Sequence, residues 1–244
     1  MKILVCITHV PDTTSKINFK DNNTKFDTTG VQFIIGPYDD YALARAIELK
    51  ESSGATVTVL NVGLVDTEPT IRKALAIGAD DAIRVNADPT DSFFVATQIA
   101  EQAKAGYDLI LMGRESIDYN SGVVHSLVGE MLGMPSVSPV MKLELDGNKA
   151  KLAREIEGGK EYLEVNLPFV AGCQEPIAEW KIPNMRGIMS ARTKPLKVVD
   201  AKAVNTGVQT QKFELPPPKG SVKMIPADNV KELVNLLKNE ARVL

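Results

Sequence analysis

The chain has 244 residues, of which 44% are hydrophobic, 24% charged and 5% aromatic. That is enough for one large α/β domain with a sizeable core, alone or with an appended arm. A formal net charge of −3 lacks the broad basic face of general nucleic-acid binders, and no apolar run approaches the roughly 18–20 residues that span a bilayer.

Residues 2–7 (KILVCI) read as a core strand, so the expectation is of no signal or transit peptide. A helix over 38–51 follows, with Leu43, Ala46, Ile47 and Lys50 on one face and Asp39 and Asp40 in its first turn, where helix-dipole or surface roles suffice for acids. A strand at 55–62 leads to a helix at 67–77 that opens on a Thr cap and stops before Gly78. A strand at 81–85 precedes a helix over 91–104 that opens on Asp91-Ser92, with Val95, Ile99 and Ala103 along one side. The fourth strand, 107–112, is followed by a helix over 121–132 carrying Val124, Leu127, Val128 and Met131. Alternating strands and helices with apolar strands predict a doubly wound, mostly parallel sheet covered on both faces.

From about residue 136 the pattern changes to strands at 140–145, 149–156 and 161–167, joined by Asp146-Gly147-Asn148 and Gly158-Gly159. This is a meander, and the apolar run Phe169-Val170-Ala171 after Pro168 is a possible buried strand. Beyond Trp180 the chain is rich in Pro and Lys (LPPPKG at 215–220) and behaves as an arm. It ends in a helix from Asp228 to about Asn239 with Val230, Leu233, Val234 and Leu237 on one stripe. The division expected is 1–180 for the core with its hairpin extension, and 181–244 for a partner-recognition loop and the arm.

In an open parallel sheet, ligands lie beyond the carboxyl ends of strands where the strand order reverses. Three segments should meet there: Cys6 to Asp12, Gly36-Pro37-Tyr38, and Gly113 to Gly122 (GRESIDYNSG). A helix starting at Ser121-Gly122 would offer free N–H groups to an anion, with Asp118, Asn120 and Ser121 beside it. Asn120 or Ser121 acting only as a helix cap is the commoner use of such residues. His9 reads as a solvated loop residue and His125 as a surface residue. Cys6 and Cys173 lack metal or redox spacing and read as buried thiols of a reducing, cytoplasmic compartment. No metal cluster, nucleophile elbow or P-loop is apparent, so no catalytic residue is assigned.

Residues 152–173, LAREIEGGKEYLEVNLPFVAGC, carry a more particular wording. A basic residue, two intervening residues, an acid and Gly-Gly, then Glu-x-Leu and a following Pro resemble the signature of electron-transfer flavoprotein β subunits. The start with Val10-Pro11-Asp12 and Lys16-Ile17, the segment Gly36-Pro37-Tyr38, TIRKALAIGADDAIRV at 70–85 and DLILMGRESID at 108–118 resemble the same family in order. The resemblance implies an adenine-nucleotide-hydrolase-like core, paired with an α subunit that holds most of the FAD site.

The family's β subunits bind AMP at the switch point, or a second FAD in bifurcating members. Carried over, the nucleotide residues are Cys6, Gly36, Pro37, Tyr38, Val62, Asp118, Tyr119, Asn120, Ser121, Gly122, Val123 and Val124. Thr13 and Tyr38 are expected nearest the flavin of α. Where the family usually has Gln-Thr-Gly or Gln-Val-Gly, this chain has Val123-Val124-His125. That removes an amide donor and adds side chains where backbone approaches phosphate, leaving AMP, FAD or an empty site open. The basic run RGIMSARTKPLK from Arg186 resembles the loop that docks acyl-CoA dehydrogenases, with Met185 as apolar anchor and Arg186, Ile188, Met189, Arg192 and Lys194 around it. The bland alternative is a solvated strand-and-turn edge. The function implied is electron transfer from such dehydrogenases to a quinone oxidoreductase, with no bond chemistry in this chain. The alternative is a stand-alone adenine-nucleotide sensor of the universal-stress type, which needs a Gly-rich phosphate turn that GRESIDYNSG lacks.

Overall fold

The computed structural model describes all 244 residues. In chain order the elements are β1 (Lys2–Cys6), β2 (His9–Pro11), β3 (Phe19–Lys20), β4 (Lys25–Phe26), β5 (Phe33–Ile35), α1 (Pro37–Ser53), β6 (Thr56–Val62), α2 (Glu68–Ile77) and β7 (Asp81–Asn86). There follow α3 (Ser92–Ala103), β8 (Leu109–Gly113), α4 (Val124–Leu132), β9 (Ser136–Asp146), β10 (Lys149–Ile156), β11 (Gly159–Asn166) and β12 (Phe169–Cys173). The last are α5 (Met185–Ala191), β13 (Leu196–Asp200) and α6 (Val230–Asn235).

One nine-stranded sheet runs in the order β11-β10-β9-β12-β8-β1-β6-β7-β13. From β9 across to β13 every pair is parallel, and β10, antiparallel to both β9 and β11, is the one strand that runs against the rest. Side chains alternate between faces along each strand. Ile3, Val5, Val57, Val59, Leu109, Leu111 and Phe169 therefore join Leu43, Ile47, Ile71 and Leu75 of α1 and α2 in one core. Leu4, Leu60, Ile110 and Val170 join Ile99 of α3 and Val128 of α4 in the other. Burial on both faces is why these strands read as unbroken apolar runs. The expected α/β class and mostly parallel sheet are what the chain adopts.

Several elements differ from the sequence reading. The run at 169 is a strand, and it inserts between β8 and β9, so the meander continues the main sheet. The hairpin turn is Glu157-Gly158, not Gly158-Gly159: Ile156 pairs with Gly159, and Gly158 supplies a φ of 84°. Before α2, Thr67 closes a tight turn through its hydroxyl to Leu64 O and caps nothing. Residues 185–191 are helical rather than a strand-and-turn edge, and 196–200 form the ninth strand, paired along β7. Near Lys16-Ile17 the hairpin is β3–β4, turned by Asp21, Asn22 and Asn23 at φ 54–63°, residue types that tolerate the left-handed region. α6 lies within the expected terminal helix and continues as a wider turn to Glu240, with no buried residue.

Candidate functional site at the carboxyl edge of the sheet

β1 and β8 lie side by side, yet the chain leaves β1 for α1 on one face and β8 for α4 on the other. Their carboxyl ends are therefore the switch point at which open sheets bind ligands. The N-terminus of α1 enters this crevice, with Pro37 fixing the first helical position.

Its floor is a carboxylate. Asp39, 3% exposed, accepts from Thr8 N at 2.8 Å, Thr8 Oγ1 at 2.6 Å and Gly113 N at 2.7 Å. Burial pushes its pKa up to about 6, while those three donors favour the ionised form. A Cβ on Gly36 would lie 2.5 Å from Asp39 Oδ2, and one on Gly113 would lie 2.7 Å from Oδ1. Both glycines make room for this carboxylate. The sequence reading gave Asp39 only a helix-dipole or surface role. Acidic residues in a first helical turn look alike in sequence, and only the packing of β8 against α1 buries this one.

Tyr38 lies half-buried beside it, with the Arg114 guanidinium 5.0 Å above its ring. Arg114 donates to Glu115 Oε1 and to Gln174 Oε1 at 2.9 Å, and buried Gln174 donates to Glu155 Oε2 at 2.5 Å. Arg154 pairs with Glu161 across the same hairpin at 2.5 Å. The β10–β11 hairpin is thus tied to the crevice through Gln174, a link that no local pattern announces.

Gly36, Pro37 and Tyr38 reach the crevice, and Cys6 and Val62 end β1 and β6 with buried side chains. Only the backbones of these last two can face a ligand, and burial pushes the Cys6 thiol far up, with Asp39 adding to the effect. Asp118, Tyr119, Asn120, Ser121 and Val123 are exposed in the turn after β8; Gly122 and Val124 are half-buried. The helix begins at Val124, three residues later than expected, and Val123 gives it no side-chain cap. Ser121 and Gly122 therefore stand in the preceding loop, and neither Asn120 nor Ser121 is the cap. Asn120 at φ 50° and Gly122 at φ 61° reverse the chain there, and Ser121 Oγ meets Ser92 Oγ at 3.0 Å.

His125 is 7% exposed, not a surface residue. It packs beneath the turn, 3.0 Å from Ser126 Oγ, and a Cβ on Gly172 would meet its ring at 2.8 Å. Burial lowers its pKa, with a hydrogen bond to the Gly122 backbone opposing. His9 is not a free loop side chain either: it stacks on Phe33 at 4.3 Å and its Nδ1 meets Thr70 Oγ1 at 2.8 Å. Thr13 is exposed beyond β2, next to Asp12, whose carboxylate accepts from Thr14 N and Oγ1. Cys6 and Cys173 are both free buried thiols, as expected.

A second surface lies on α5. Met185 and Met189 are 74% and 68% exposed, and Ile188, Arg186 and Arg192 are also exposed. The helix is held against α2 at Gly187, where a Cβ would collide with Ala76 O, and by Arg72 Nη1, which donates to Ala191 O at 2.8 Å and Lys194 O at 2.7 Å. Lys194 turns inward instead: its Nζ donates to Leu75 O at 2.8 Å and Ala79 O at 2.6 Å at the end of α2, and burial lowers its pKa. Trp180 and Ile182 (75% exposed) extend the apolar surface ahead of α5 and were not singled out from sequence. Their signal was available: two large apolar residues in a stretch without core periodicity.

The electron transfer flavoprotein domain family matches residues 23–204. The chain is 34% identical over 259 residues to the electron transfer flavoprotein subunit beta of Bacillus subtilis, with all of both chains covered. It is 36% identical over 249 residues to the subunit of that name from Syntrophomonas wolfei, covering all of this chain and 98% of the other. It is 33% identical over 256 residues to the mitochondrial subunit beta of Arabidopsis thaliana, again with both chains fully covered. Similarity from end to end, on a sheet whose switch point and hairpin are built as described, places this chain in the electron transfer flavoprotein family, among its β subunits.

Proposed function

We propose that this chain is the small subunit of a cytoplasmic two-subunit electron carrier. An α subunit holds most of an FAD, acyl-CoA and related dehydrogenases reduce it, and a quinone oxidoreductase reoxidises it. The flavin supplies the electron chemistry; this chain makes and breaks no bond. Tyr38 and Thr13 lie at the rim turned to that flavin, and the C-terminal arm wraps onto α. No helix is long and apolar enough to cross a membrane, and two free buried thiols suit a reducing compartment. End-to-end similarity to β subunits disfavours the stand-alone sensor reading.

The crevice suits an adenine nucleotide. The turn at 119–124 gives a phosphate an open approach, since a Cβ on Gly122 would come no nearer to any neighbour than 3.8 Å. AMP is the ligand proposed, with Val123 and Val124 contributing backbone only.

The observation that carries the docking assignment is the rigidly mounted α5 with two exposed methionines flanked by arginines. An adaptable apolar anchor beside cations suits brief engagement with several partners. Met185→Ala is expected to slow flavin reduction by an acyl-CoA dehydrogenase about tenfold, a loss typical of an interface anchor, while the flavin spectrum is unchanged. Stopped-flow rates equal to the wild type would remove the assignment.

A further inference from the structure

Asp39 is the only carboxylate among the buried residues, and its surroundings resemble a site for a free anion. Open sheets hold a phosphate with backbone N–H groups at strand ends and a helix N-terminus. Here those donors are Thr8 N after β1 and Gly113 N at the end of β8, joined by Thr8 Oγ1, and all three converge on one side chain. Gly36 and Gly113 keep side chains clear of it, since a Cβ on either would collide with its oxygens. The carboxylate is covalently tethered in the first turn of α1, so no solution anion need be captured.

We propose that Asp39 is an internal anion that occupies the phosphate position of the crevice floor, and is thereby a specificity-determining residue. With the floor already anionic, a phosphate is repelled from it and must sit at the rim, along 119–124. The floor is left to the donor groups of base and sugar. The assignment of the floor stands on the protein's own geometry; its consequence for ligand orientation rests on the nucleotide reading above.

The test is chemical rescue of the heterodimer, with inorganic phosphate as probe and chloride at matched ionic strength as control. Asp39→Ala empties the position and frees its donors. Its unfolding midpoint is expected to rise saturably with phosphate, by about 5 °C, and not with chloride. Wild type and Asp39→Asn, in which the space stays filled, are expected to show no such rise. Should Asp39→Ala fail to assemble, phosphate in the refolding buffer is expected to restore assembly where chloride does not. An Asp39→Ala protein indifferent to phosphate, or an Asp39→Asn protein that responds equally, overturns the proposal. A wild-type heterodimer without a nucleotide beyond the flavin of α, with rescue intact, refutes the nucleotide reading and leaves the internal anion standing.

Discussion

Asp40 shows how a single side chain sets a pH response. Partial burial in the first turn of α1 pushes its pKa up to about 6 from an ordinary 3.8, with Lys73 pulling it partly back. A carboxyl whose folded pKa is raised contributes stability in full below its unfolded value, and loses it as pH climbs through the folded one. The window is therefore about pH 4 to 6. Asp40→Asn, neutral throughout, is expected to melt with the wild type near pH 4 and about 3 °C above it at pH 7. A gain that persists at pH 4 would assign the effect to packing. At this scale the placing of Gly36-Pro37-Tyr38 at the start of α1 was legible in the sequence. The sequence was not legible for Asp39, His9, His125 and Lys194, whose roles come from partners 31 to 119 residues away along the chain or from burial alone.

α5 owes its position to one close approach. Gly187 lets the helix lie against the Ala76 carbonyl, and Asn184 caps it by accepting from Gly187 N at 2.8 Å. Gly187→Ala is expected to lift α5 from α2 at a cost of about 1–3 kcal/mol, in the range of overpacked interfaces. Amide exchange over 186–191 is the readout, faster in the variant with flavin content unchanged; unchanged protection would show that the helix is held elsewhere. The β10–β11 hairpin is a contrasting case. Its exposed Arg154–Glu161 pair is worth at most about 1 kcal/mol, so its importance lies in the Glu155–Gln174–Arg114 chain to the crevice. Elements with strong periodicity, β1, β6, β8, α1 and α3, were legible in the sequence. β12 was readable as a strand but not its place between β8 and β9, because pairing across the sheet is a non-local choice. β13 was missed because a short edge strand, half exposed, shows no clear alternation.

At the scale of the molecule, one sheet with two covered faces carries a crevice at its carboxyl edge and an arm that leaves the core after β13. Phe213 of the arm stacks on Phe19 at 5.0 Å and its N–H bonds Asn23 O at 2.7 Å, yet the apolar stripe of α6 is unburied, with Val230, Leu233 and Val234 all exposed. Such a stripe in a partnered protein needs a surface to cover it. Leu233→Asp is expected to leave the secondary structure of this chain intact and to weaken assembly with α at least tenfold, measured by titration of the separated subunits. Equal affinity would place the arm elsewhere. The proposal that this chain is the nucleotide-holding small half of an electron carrier has a more direct test. Co-expressed with its α subunit, purified and denatured, the complex is expected to release one FAD and one AMP; no complex and no flavin would contradict the account.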